Sequence, residues 1–146
     1  MTAGSAGTDG PPAFIGEPVT HAEAVNLAER YVGAYNARDL EAMLAVMDES
    51  VRSYPAPFFG HRPHSGHAGV RAWWAAMVAS RLWFDVVVDD VRQVGADRVA
   101  ILGEIRHEGR RRSPWAVFVR VRHGLIVESR SYLSEQAELE RLGLLA

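Results

Sequence analysis

The stretch LWFDVVVDDVRQVGADRVAILGEIRHEGRRRSPWAVFVRVRHGLIVESRSYL, residues 82–133, decides the fold. Its apolar residues recur with a period of two, the alternation of a half-buried strand. Residues 82–94, 98–108, 114–122 and 125–133 read as four strands, parted by Gly95-Ala96-Asp97, a turn at Gly109, and His123-Gly124. Connections this short join antiparallel neighbours, so the four strands form a meander. In the second strand Val99, Ile101, Gly103, Ile105 and His107 share one face, and Leu102, Glu104, Arg106 and Glu108 share the other. In the third, Trp115, Val117 and Val119 alternate with Ala116, Phe118 and Arg120. Both faces of that strand carry apolar residues. A sheet apolar on both sides calls for two covering layers, and the outer face is expected to pack in a homodimer.

The inner cover lies upstream. Thr20 and Glu23 have capping-box spacing, and Val25, Ala28, Tyr31, Val32 and Tyr35 then follow on one helical face. Asn36-Ala37-Arg38 ends that helix, and Asp39 caps a short second one carrying Leu40, Met43, Leu44 and Met47. Residues 51–54 read as a short strand closed by Pro55 and Pro57. Residues 58–69 read as a loop, and a third helix runs over 67–80 with Val70, Trp73, Trp74, Met77 and Val78 as its apolar stripe. A last helix starts at Ser134 and stops at Gly143. Residues 1–19, rich in Gly, Pro, Ser and Thr, read as a flexible N-terminal segment, and 20–146 as one domain. Helices first and a meander afterwards is an α+β order. The expected architecture is a cone-shaped, strongly curved antiparallel sheet wrapped around the N-terminal helices, enclosing a pocket for a small, mostly apolar molecule.

Composition narrows the chemistry. The net charge of −2 offers no footprint for nucleic acid, and no apolar run approaches a membrane span. The first ten residues carry no apolar signal sequence, so a cytoplasmic protein is expected. There is no cysteine, and all sixteen basic residues are arginine. Thiolate chemistry, a lysine Schiff base and a P-loop lysine are therefore all excluded. Any catalyst must be built from His, Tyr, Ser, Thr, Asp, Glu or Arg.

With these elements in place, the chain resembles the nuclear transport factor 2-like superfamily in its SnoaL-like branch, a cystatin-like fold. The resemblance rests on Tyr31-Val32-Gly33-Ala34-Tyr35-Asn36-Ala37-Arg38-Asp39-Leu40, on Gly66-His67-Ala68-Gly69-Val70, and on Arg122-His123-Gly124-Leu125-Ile126-Val127. It implies isomerases, dehydratases, epoxide hydrolases, cyclases or plain binders, because one fold hosts many functions. In ketosteroid isomerase-like members a helix-one Tyr and a strand Asp hold an oxyanion while a second Asp moves the proton. Tyr31 matches the first, but the base falls at Tyr54 and the second donor near Val117. The Asp-Arg-Asp set of limonene epoxide hydrolase-like members would fall at Gly103, Ile105 and Ser131. No acidic residue stands on the inward rows of the last three strands, so the pocket Asp of SnoaL-type cyclases has no counterpart either.

The candidate acid–base set is therefore His107 with Tyr54 and Tyr31, an imidazole base and hydroxyl donors in an apolar cavity. This is loosely similar to scytalone dehydratase-like relatives. The competing reading makes His107 a satisfied rim or core histidine and Tyr54 a piece of wall. Tyr35, Trp74, Ile101, Ile105, Trp115, Val117, Ser129 and Ser131 are the candidate ligand-binding lining, with His61 and His64 on a polar flap at its mouth. The spacing of His61, His64 and His67 suits zinc, but Pro63 and Gly66 break the segment, and no metal or cofactor is expected. Arg110-Arg111-Arg112 reads as a solvated turn. The expected partner is a small apolar or carbonyl-bearing ligand, with no nucleic acid and no membrane. The function read from this is a cofactor-free lyase, isomerase or cyclase acting on a carbonyl or polyketide-like compound, or a non-catalytic ligand-binding or dimerisation module with the same cavity.

Overall fold

Residues 18–54, 63–80, 84–106 and 113–133 are described by the computed structural model of the chain. Helix α1, His21–Asn36, starts on the capping box: Thr20 Oγ accepts from the Glu23 amide, and the Glu23 carboxylate accepts from the Thr20 amide. Val19, one residue ahead of the cap, already belongs to the core, and its amide donates to the Ala96 carbonyl. The left-handed residue Arg38 then turns the chain, and Asp39 caps α2, Leu40–Ala45, by accepting from the Ala42 amide.

Strand β1, Met47–Tyr54, is longer than the four residues the sequence suggests. A two-residue strand β2, His64–Ser65, pairs with it and leads directly into α3, Gly66–Ser80. The meander follows as β3, Asp85–Gly95; β4, Arg98–Arg106; β5, Ser113–Arg122; and β6, Leu125–Leu133. The sheet order is β2-β1-β6-β5-β4-β3. Every pairing is antiparallel except β1 with β6, which run parallel, so the short strand joins the meander's far end. The result is the expected α+β architecture, a curved, unclosed six-stranded sheet with helices on one face.

Gly103 shows how the curvature is made. A Cβ there would lie 2.0 Å from the Val87 carbonyl oxygen, inside any contact distance. The register of β3 against β4 slips at this level, where Val88 faces Gly103 and Asp90 faces Leu102. A bulge sharpens the local twist and bends the strand, and only glycine leaves room for it. β4 against β5 stays regular from Arg98–Arg120 to Ile105–Ser113, so this slip is not passed on to that pair.

The inner face carries the main core: Val99 and Ile101 from β4, Val117 and Val119 from β5, Ile126 from β6 and Val51 from β1, against Ala28, Val32, Met43, Val70 and Trp74 from the helices. The alternation expected of β4 and β5 is thus the one observed. Leu102 and Ala116 lie on the opposite face, buried beneath the half-buried rings of Phe118 and Tyr132, which meet edge-on at 5.8 Å. Asn36, at the end of α1, seals the β3 edge: its side chain donates to the Val86 carbonyl and accepts from the Val86 amide, both at 2.8 Å. No helix among the described residues is long and apolar enough to cross a membrane.

Candidate functional site

The inner face has one polar row in an apolar surround. In β1 and β6, Ser53 is the register partner of Ser129, so both side chains leave the sheet on the same side. Ser129 is 1% exposed and donates to Ser53 Oγ at 3.3 Å. Tyr31 comes down from α1 onto this pair, and its hydroxyl is hydrogen-bonded to the Ser129 hydroxyl. Burial holds the Tyr31 hydroxyl far above the usual tyrosine range, and the nearby Tyr35 adds to this. It is therefore a neutral donor at any physiological pH. Hydroxyl protons rotate, so Tyr31 can turn its proton from Ser129, which donates its own to Ser53, toward an incoming oxygen.

Tyr35 stands one helical turn further along α1. Burial pushes its hydroxyl up to about 12, against the opposing pull of a hydrogen bond with the backbone at Phe84. Its ring meets Trp74 edge-on at 6.5 Å, and Trp74 in turn meets Trp73 at 6.2 Å. The chain of rings ends at His64, whose centroid lies 6.5 Å from that of Trp73. His64 is half-buried, and desolvation lowers its imidazole below the usual histidine value.

His64 does not sit on a flap. It belongs to β2, where it is the register partner of Ser53. Its placement follows from the residues after it. Gly66 takes a left-handed φ of 70°, turning the strand into α3. His67 hydrogen-bonds through Nε2 to the Met47 carbonyl at 2.9 Å. Gly69 lets the first turn of α3 rest on β2, for a Cβ there would lie 2.8 Å from the His64 carbonyl carbon. The glycines and histidine of 66–69 are thus devices that fix His64.

Other expected site residues divide. Ile101, Val117 and Trp115 are buried on the inner face, while Ile105 is half-buried against it. Ser131 pairs with Val117, so it shares that face. Tyr54 does not. Its hydroxyl accepts from the Arg52 guanidinium at 3.0 Å, and Arg130 lies 4.0 Å over its ring. Both arginines are exposed, and Tyr54 follows the inward Ser53 by one residue, so it faces outward. The expectation that Tyr54 lines the pocket is corrected accordingly. His61, His107, Arg110 to Arg112 and the helix expected from Ser134 lie outside the described residues. A separate cleft of about 790 Å³ opens between the start of α1 and the β5–β6 turn, beside Thr20, Asn26, Arg30 and His123. None of Tyr31, Ser129 and Ser53 lines it, and its Thr20 and Glu23 already satisfy each other.

The sequence profile of the SnoaL-like domain matches residues 28–129. No curated protein matches the chain. Among solved structures, a SnoaL-like protein of unknown function from Burkholderia thailandensis is similar at 19% identity and a TM-score of 0.68, over 81% of this chain and 99% of that one. TerC, co-crystallised with polyporic acid, is similar at 20% identity and a TM-score of 0.65, over 81% and 96%. A candidate ketosteroid isomerase from Kribbella flavida is similar at 20% identity and 0.62, over 78% and 79%. At such identities these likenesses establish the fold.

Proposed function

This chain belongs to the SnoaL-like domain family, and we propose that it binds a small, largely apolar molecule between its helices and the inner face of the sheet, anchoring one oxygen of that molecule on Tyr31. The observation that carries this reading is the Tyr31–Ser129–Ser53 row. Buried hydroxyls in a hydrophobic surface cost stability unless bonded, and these three are joined to one another in a place where apolar side chains would pack better. Tyr31, Tyr35, Trp73 and Ile105 also keep accessible surface although they pack against the buried core, which suits a wall around open space. The anchor is a donor, so the favoured ligand oxygen is an acceptor such as a carbonyl. That TerC was co-crystallised with polyporic acid, and that a similar fold is a candidate ketosteroid isomerase, supports a ligand of this general kind.

The test uses 2-tetralone, a bicyclic apolar ketone, and tetralin, the same skeleton without oxygen. The ketone binds wild-type protein about tenfold more tightly, the worth of one hydrogen bond of roughly 1.4 kcal/mol. Tyr31→Phe removes that preference. Equal affinities in the wild type, or no binding of either, would refute the reading. We further propose that the outer face, where Phe118 and Tyr132 keep part of their surface exposed, joins two copies of the chain. Light scattering at micromolar concentration then gives twice the chain mass, and a monomer contradicts it.

A further inference from the structure

The row of hydroxyls does not end at Ser53. Ser53 has Ser129 as its register partner on one side and His64 on the other, so side chains from β6, β1 and β2 stand in line across one face of the sheet. Directly opposed residues of an antiparallel pair hold their Cβ atoms about 5 Å apart, which puts the imidazole within reach of the Ser53 hydroxyl or of a small molecule lying over it. Ser129 donates to Ser53, so the Ser53 proton is left to point onward. The imidazole sits between the sheet and α3, against Trp73, and the close approach at Gly69 restricts where it can move. It is also a residue of the short edge strand and half-buried, so a ring nitrogen can exchange protons with solvent.

We propose that His64 is the proton acceptor of this site, poised over a carbon next to the carbonyl that Tyr31 holds. The inference rests on the binding reading above. The step is a proton transfer. The C–H bond beside the carbonyl breaks, its proton bonds to an unprotonated ring nitrogen of His64, and the electron pair becomes a carbon–carbon double bond. The carbonyl π pair moves onto oxygen, where the Tyr31 hydroxyl stabilises it. Return of a proton from the imidazolium to carbon restores the ketone and the neutral ring. In D2O the imidazolium exchanges first, so the returning particle is a deuteron.

The experiment follows 2-tetralone with the full chain in D2O by proton NMR, reading the loss of its signals beside the carbonyl, while saturation transfer reports binding. Wild-type protein accelerates the exchange over buffer. His64→Gln, which keeps a polar side chain of similar reach, binds 2-tetralone within about threefold of wild type and slows the exchange at least a hundredfold, the usual worth of a positioned base. His21→Gln, at an exposed histidine on the first turn of α1, exchanges as wild type does. Binding without acceleration by the wild type, or exchange by His64→Gln at the wild-type rate, overturns the role of His64 and leaves the binding reading standing. No binding by the wild type overturns both. Thermal unfolding of each variant checks the fold, and His64→Asn serves as the second substitution should His64→Gln unfold.

Discussion

His64 and Tyr54 show how much a single residue's role depends on pairing that a sequence does not display. Both were candidates for the pocket. Tyr54 sits in a strand whose phase is set by Val51 and Ser53, and once Ser53 pairs with Ser129 the tyrosine faces outward. His64 stands two residues before Gly66 in a Pro- and His-rich run, and its strand has only two residues, too few to show a period. The hydroxyl row itself was half legible, for Tyr31, Ser129 and Ser131 follow from helix and strand phase, but Ser53 enters only through the parallel β1–β6 pair. Gly103 is a position where the residue's identity is dictated by a neighbour's backbone. Gly103→Ala sets a Cβ against the Val87 carbonyl, and equilibrium unfolding is expected to lose roughly 3 kcal/mol or more. An aspartate at this position, as epoxide hydrolase-like chemistry would place one, is excluded on the same ground.

At the scale of elements, the two ends of the sheet are held by different means. Asn36 imitates a neighbouring strand at the β3 edge through its paired bonds to Val86. Asn36→Ala leaves both groups of Val86 without that partner, and we expect a loss of about 2 kcal/mol, a fall in Tm of roughly 6 °C, read by calorimetry. At the other edge, α3 is seated on β2 through Gly69. Alanine there gains helix propensity of roughly 1 kcal/mol, but the 2.8 Å approach to the His64 carbonyl carbon forces helix and strand apart. Gly69→Ala is therefore expected to lower stability despite its better propensity, and to displace the His64 ring resonances in NMR spectra. The main elements were legible because their signals are local: a capping box, a left-handed turn, and strands whose alternation continues for nine residues or more. The β1–β6 pairing was not, since two strands so far apart in the chain carry no mark of meeting.

For the whole molecule, the depressed imidazole of His64 ties folding to pH. Its folded value lies below the ordinary histidine value, so the unfolded chain binds the proton more readily. The stability that accompanies the neutral ring is present above about pH 6.5 and is lost as pH falls through the folded value. Tm is expected to drop on acidification from pH 7.5 to 5, and His64→Gln to flatten that slope; an unchanged slope would count against the half-buried placement. The sheet as a whole separates two surfaces, an inner one with the hydroxyl row and an outer one with Tyr54, Phe118, Arg130 and Tyr132. On the proposed function, ligand binding belongs to the first alone. The direct test is an amide NMR titration of the full chain with 2-tetralone. It predicts saturable shifts at Tyr31, Trp74, Ile101, Val117 and Ser129, with Tyr54, Phe118 and Arg130 unmoved. Shifts confined to the outer face or to the cleft beside Thr20 and His123, or no saturable shift at all, would contradict it.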